Sequence, residues 1–286
     1  MPTLKDTKRR ITSVKSTQKI TRAMKLVSSA KYARANRELL KSKPYREAFS
    51  DLFTHVASVE GKQPSPLMEV RNEKKSLLIV VTTDRGLCGG LNSNLLKKAK
   101  VYLDEKHNQG VTVDVALWGR RAQMGFSGEK NHVLSSELGV LDRPSFDFVS
   151  TQATRFRKLF EEEKYDRIDL VYPSFRNVVS QTPKVVPIFP VVPPEANHAE
   201  YGVEPLAEPD PQTLFEDVLS KHVVSILLGV LQEGAASEHA ARMTAMDNAT
   251  NNAEEVVRAL TIQYNRARQA AITKELIEIT SGAEAL

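Results

Sequence analysis

The chain has 286 residues, a formal net charge of +5 and a single cysteine, Cys88. One thiol excludes an intrachain disulfide and a thiolate zinc site, and no run of about eighteen apolar residues is present to make a membrane-spanning helix. Charge divides the chain: residues 1–58 hold 14 Lys and Arg against 4 Asp and Glu, a balance of +10, so the remainder carries −5 and the basic character belongs to one segment.

From Thr3 to about Ser58 the only proline is Pro44, and the content of Lys, Arg, Ala and Leu predicts a long helix, kinked or interrupted there. Its apolar content is thin. Leu4, Ile11 and Val14 mark one stripe and Ile20, Ala23, Val27 and Ala30 a second, so the line is narrow and predicted to shift register midway. Such a helix would extend roughly 80 Å at about 1.5 Å per residue, beyond the width of a compact domain.

Residues 61–75, with Gly61, Pro64, Pro66 and several charges, read as a linker and a boundary. A strand over 76–82, a helix opening near Asn92 or Ser93 and closing at Gly110, and a strand over 111–119 then make a βαβ unit. A further helix fits 146–166, followed by two β-rich runs. The second carries Pro183 and Pro187, which predicts the edge or end of a sheet. Residues 193–211 contain five prolines and read as loop.

From Gln212 to Ser281 there is no proline, and the periodicity is at its clearest. Alternate steps of three and four from Met243 reach Met246, Thr250, Ala253, Val257, Leu260, Tyr264, Ala267 and Ala271, of which only the threonine is polar. That seam predicts a coiled coil. Each terminal helix is too long for a globular core and too narrow in its seam, so the two are expected to wrap around each other. The division is then an N-terminal coiled-coil helix over 1–60, an α/β domain over 61–211 and a C-terminal coiled-coil helix over 212–286.

Candidate sites are few. "DRGLCGGLN" (84–92) follows a strand, yet it lacks the lysine of a phosphate loop and its Gly-x-x-Gly-Gly spacing fails the dinucleotide pattern, so Gly86, Gly89 and Gly90 read as backbone geometry and close packing. Cys88 reads as a buried structural residue, with no histidine close by in sequence to activate it. The six histidines are scattered, and neither metal nor cofactor is expected. The basic arm fits nucleic-acid phosphates, a solvated helix face or an acidic protein partner, and its chemistry alone does not choose. Asp247, Asn251, Glu254 and Glu255 flank the C-terminal seam and are expected to face solvent. Arg266, Arg268 and Gln269 project donors from a rigid helix, suited to docking on the backbone or a carboxylate of another chain.

Three blocks, "STQKITRAMKLVSSAKY" (16–32), "DRGLCGGLN" (84–92) and the stretch from "ARMTAMDNATNNAEEV" to "LTIQYNRARQAAITKELIEITSGAEAL" (241–286), strongly resemble the gamma subunit of F-type ATP synthases. The likeness runs nearly end to end. It implies an antiparallel coiled coil of the terminal helices beside a small Rossmann-like α/β domain, and a non-catalytic rotor that imposes different conformations on three nucleotide sites in turn. It implies as partners the alpha and beta subunits of the catalytic hexamer, the epsilon subunit and the membrane c-subunit ring, with one copy per complex and no nucleic acid. By motif, Met24 lies on the face toward the acidic lever of a beta subunit, with Arg22 and Lys25 nearby. Attraction between that lever and the basic arm would be screened over about 8 Å at physiological salt. Arg268 and Gln269 match the pair that bonds a beta-subunit catch loop, Thr273, Glu275 and Glu278 belong to the same contact region, and the last residues match a tip in an apolar sleeve. Tyr201 and Glu204 of "YGVEP" match a foot facing the rotor ring. Arg22 stands where lysine is common in the family, the two-cysteine redox segment of the chloroplast form is missing, and the start without a transit-like leader predicts a bacterial chain on the cytoplasmic side of the inner membrane. Outside the resemblance, a coiled-coil tether or nucleic-acid-binding protein using the basic arm and a nucleotide-dependent enzyme using the glycine turn remain as other classes.

Overall fold

A computed structural model describes residues 3–59, 65–128, 131–192 and 210–284. Two long helices, α1 (Leu4–Val59) and α5 (Pro211–Glu284), flank a central mixed sheet, as the sequence reading expected. By contact the chain groups into two units, Met1–Ser29 with Arg242–Leu286, and Ala30–Ala241. Pro44 lies inside α1 without ending it, which corrects the expected interruption. A helix-interior proline removes one backbone donor, and the helix continues past that single loss.

In the unit Ala30–Ala241, β1 (Lys75–Val81), α2 (Leu91–Asn108) and β2 (Thr112–Trp118) make the expected βαβ unit, with β1 parallel to β2. The segment between residues 120 and 137 supplies a short helix α3 (Arg120–Gly125) and a strand β3 (Val133–Glu137) that sequence periodicity did not signal. Helix α4 (Phe146–Glu161) is followed by β4 (Arg167–Phe175) and β5 (Gln181–Phe189). It ends one turn earlier than expected, where Glu163 takes a positive φ of 53°. The sheet order is β3-β2-β1-β4-β5, parallel except for the antiparallel pair β4–β5. Pro183 and Pro187 therefore sit on an edge strand, where a missing N–H leaves no central ladder bond unmade.

Strand alternation sends β1 side chains to both faces. Leu77, Ile79 and Val81 join Trp118, Phe156 and Phe160 in one core, completed by Phe53 of α1 and by Phe215, Leu219 and Leu227 of α5. Leu78 and Val80 meet Leu95, Ala99 and Leu103 of α2 in the other. Both faces of the sheet are thus covered, as near-continuous apolar strands require.

Candidate functional site

The unit Met1–Ser29 with Arg242–Leu286 is a helix pair running antiparallel: Thr21 meets Thr250 while Lys25 meets Asp247, so one index rises as the other falls. On α5, Met246 and Ala253 are buried and Met243, Thr250, Val257, Leu260, Tyr264 and Ala271 are half-buried. The expected seam is present, with Ala267 alone among its positions exposed. On α1 the facing line is Leu4, Thr7, Ile11, Val14, Gln18, Thr21, Lys25 and Ser28, all buried or half-buried. This corrects the predicted register shift. The line keeps one heptad phase throughout, and the apolar residues assigned to a second stripe point outward, with Ile20 at 58% and Val27 at 57% exposure.

The polar positions in the seam are satisfied locally. The Thr21 and Thr250 hydroxyls are 2.8 Å apart, and each reaches a carbonyl of its own helix, Gln18 O at 3.0 Å and Met246 O at 2.7 Å. With one proton on each hydroxyl, two of these three contacts are donated at a time, and each hydroxyl always has an acceptor. Lys25 Nζ donates to Asp247 Oδ1 at 2.6 Å, both side chains being about 40% exposed (39% and 43%). Asp247 is therefore engaged across the pair rather than facing solvent as expected. Asn251, Glu254 and Glu255 are exposed, with Glu254 bonded to Arg258 at 2.8 Å.

Of the residues singled out by resemblance, Arg22 is exposed, Met24 is half-buried, and Lys25 is held by Asp247. Arg268, Gln269, Thr273 and Glu275 are all exposed on the far part of α5, and Thr273 Oγ1 donates back to Gln269 O at 2.9 Å. The Glu278 side chain, Tyr201 and Glu204 lie outside the described residues. Arg22 and Met24 lie at one end of the pair and Arg268, Gln269 and Thr273 beyond the other, so the structure brings these two groups onto one helix pair but not into one cluster. The basic side chains Lys5, Lys8, Arg9, Arg10, Lys15 and Lys19 also face outward. Counting from the Thr21–Thr250 pair sets Leu4 opposite Ala267 or Arg268, so α5 continues past the end of α1 with Ile272, Leu276, Ile277 and Ile279 exposed at 48–68%.

The glycine-rich turn is closed by its own neighbours. Gly89 has φ +58°, a Cβ on Gly86 would lie 2.4 Å from the Arg121 guanidinium, and Gly90 caps α2. Asn92 Nδ2 donates to Thr83 Oγ1 at 2.8 Å and to the buried Cys88 Sγ at 3.1 Å. Asp84 carries a role that sequence reasoning missed. Its two carboxylate oxygens accept from Arg120 N at 2.8 Å and Gly139 N at 2.7 Å, tying together the loops after β1, β2 and β3. Among the described residues no cluster of His, Cys, Asp or Glu has metal-binding geometry, and no helix is long and apolar enough to cross a membrane.

The ionisable groups of the α/β unit are arranged for packing. Burial works to raise the Asp114 carboxyl pKa, yet hydrogen bonds from Tyr165 and Lys75 hold it below the ordinary carboxylate value. Burial, with the nearby Glu233 carboxylate, raises Tyr172 to about 12. His222 is lowered to about 4 by burial alone.

Comparison with known proteins decides the family. The family model described as "ATP synthase" matches residues 3–286. A protein of Geobacter metallireducens named "ATP synthase gamma chain" is 41% identical, covering 100% of this chain and 99% of that one. The chain belongs to the ATP synthase gamma chain family. Gamma chains of Pelagibacter ubique and Pelotomaculum thermopropionicum are 40% and 39% identical, with full coverage of both partners. Among solved structures, a chain of the Euglena gracilis mitochondrial ATP synthase, from an assembly of OSCP, F1 and c-ring, is similar with a TM-score of 0.65 at 20% identity, over 99% of this chain and 94% of that one. A chain of the Tetrahymena thermophila central stalk and c-ring has a TM-score of 0.60 at 22% identity, over 80% of this chain and 99% of that one. At such identities the likeness carries the gamma-chain fold, long terminal helices around a mixed sheet.

Proposed function

We propose that this gamma-family chain is the central-stalk rotor of a bacterial F-type ATP synthase and itself makes and breaks no bond. One observation carries the reading: the terminal helices pair in the antiparallel sense and, apart from Lys25, Asp247 and Arg242, keep their charged side chains outward, leaving Arg22, Arg268, Gln269, Thr273 and Glu275 accessible to surrounding chains. A coupling shaft needs such a surface. Its own seam must be satisfied internally, while its outer face offers donors to carboxylates and backbones of neighbours. Rotation driven by proton flow would bring that face to each beta subunit in turn, and ATP hydrolysis would reverse it.

The working division assigns the shaft to residues 1–60 and 212–286 and the α/β portion to 61–211. Arg22, Met24 and Lys25 meet the acidic lever of a beta subunit, and Arg268 and Gln269 bond a catch loop, with Thr273, Glu275 and Glu278 alongside. The Lys25–Asp247 pair divides the work between the two cations: Lys25 fixes the helix pair, and Arg22 is the freer charge toward the lever. Tyr201 and Glu204 face the c-subunit ring, epsilon docks on the α/β portion, and the assembly lies on the cytoplasmic side of the inner membrane. The test is a complex reconstituted with Arg268→Ala or Gln269→Leu chain. Coupled ATP turnover falls while the isolated chain keeps its helicity, and turnover equal to that of the unaltered complex removes both residues from the docking role.

A further inference from the structure

A cleft of about 740 Å³ opens in the unit Ala30–Ala241, between α1, α4 and α5. Its inner lining is apolar, from Leu67, Ala153, Phe189, Val223 and Leu228, and two exposed rings, Tyr45 and Phe146, also line it. Four cations line it: Arg157 is bonded to the lining acid Glu161 at 2.7 Å, Lys221 pairs with Asp217 on its own helix and Arg46 lies 3.8 Å from Glu233, which leaves a net charge of about one for a bound head, with Lys158 contributing most of it. The Arg46 guanidinium lies over Gly229, where a Cβ would come within 2.2 Å of Nη1, and its Nε is buried without a hydrogen-bond partner. That volume falls within the range of small-molecule sites, and an apolar body with a few convergent polar groups is their usual composition.

We propose that this cleft binds a single-headed amphipathic anion, an acyl chain ending in one acidic group. The apolar lining takes the chain, and Arg46, Lys158 and Lys221 take the head. A polyphosphate fits poorly. None of the lining comes from a glycine-rich turn that could present backbone N–H groups, and the pairs to Glu161, Asp217 and Glu233 leave too little unopposed positive charge for several phosphates. Nothing in the rotor reading requires this site, so its fate and that of the rotor are measured separately.

The full chain is titrated with dansyl-labelled undecanoate and followed by fluorescence, with decanoate and decanol as competitors. Saturable binding displaced by decanoate and not by decanol is expected. Reversing the head contacts with Lys158→Glu and Lys221→Glu weakens it at least about tenfold, because a charge-assisted contact becomes a repulsion. Ser150→Trp, or Thr154→Trp should the first fold poorly, fills the cleft and abolishes binding with the circular dichroism spectrum unchanged. Co-sedimentation with vesicles of phosphatidylglycerol, lost in the same variants, assigns the acyl anion to a membrane lipid, and binding of free acid without co-sedimentation assigns it to a soluble one. Absence of saturable binding, equal displacement by decanol, or folded plug variants that bind as before overturns the proposal.

Discussion

His222 makes the stability of the α/β unit depend on acid in a defined window. Its ring is 7% exposed and stacks on Phe53 with centroids 4.3 Å apart, inside the core that covers one face of the sheet. Burial lowers its pKa from 6.5 to about 4, so the folded state holds it neutral where the unfolded chain protonates it. The stabilisation is therefore complete above pH 6.5 and is lost as pH falls from there toward 4. At pH 4.5 the difference between the two pKa values amounts to about 2.5 kcal/mol, since each decade of proton concentration below 6.5 costs about 1.4 kcal/mol until the folded group itself titrates. Urea unfolding of the chain at pH 7.5, 6.0 and 4.5 measures it. His222→Leu, and His222→Gln as a second neutral replacement, should lower stability at pH 7.5 yet flatten the slope between pH 6.5 and 4.5. Slopes equal to that of the unaltered chain would refute the assignment. The Asp114 carboxyl, held below 3.8, keeps its stabilising contribution through this window and loses it only at lower pH.

Three further outcomes follow from the geometry. Thr250→Val removes the cross-helix hydroxyl contact and costs only about 0.5 kcal/mol, because the Thr21 hydroxyl still donates to Gln18 O; thermal unfolding of the unaltered chain, the two single variants and the double variant measures the coupling. A double-mutant cycle on Lys25→Ala and Asp247→Ala gives about 0.5 kcal/mol, shrinking at high salt, since the pair is about 40% exposed. Gly119→Ala costs about 3 kcal/mol or prevents folding, read by urea midpoint, because φ is +104° there and the added carbon would lie 2.2 Å from Thr82 O.

The C-terminal half of the helix pair was legible because its seam positions are apolar or small and recur at heptad spacing from Met243 to Ala271. The N-terminal half was misread because its seam is held by Thr7, Gln18, Thr21, Lys25 and Ser28, while Ile20, Leu26 and Val27 lie outside it. Hydropathy reports a buried line only where burial is what selects the residue. Here the partner helix offers Thr250 to Thr21 and Asp247 to Lys25, and Thr7 bonds Thr3 O of its own helix, so these polar residues occupy the seam at little cost. The turn at 84–92 was read as packing from the absent lysine and the glycine spacing, and the positive φ of Gly89 and the Arg121 guanidinium against Gly86 agree with the backbone part of that reading. The role of Asp84 was invisible, because its acceptors are filled by residues 36 and 55 positions away. The 222-residue separation of Lys25 and Asp247 hid that pair in the same way. The contact role proposed for Arg268 and Gln269 rests on motif and side-chain chemistry, since exposed side chains leave no periodic trace.

The stretch of α5 that outruns α1 has an implication for how the chain is made and assembled. Four large aliphatic side chains stand in water on a lone segment of about four and a half turns, near the length at which an isolated helix is only marginally stable. In a free subunit these turns fray and invite proteolysis or self-association. In the assembly proposed above neighbouring chains would sheath and order these turns, so resistance of this end to a protease would serve as a direct gauge of whether a given molecule has been incorporated.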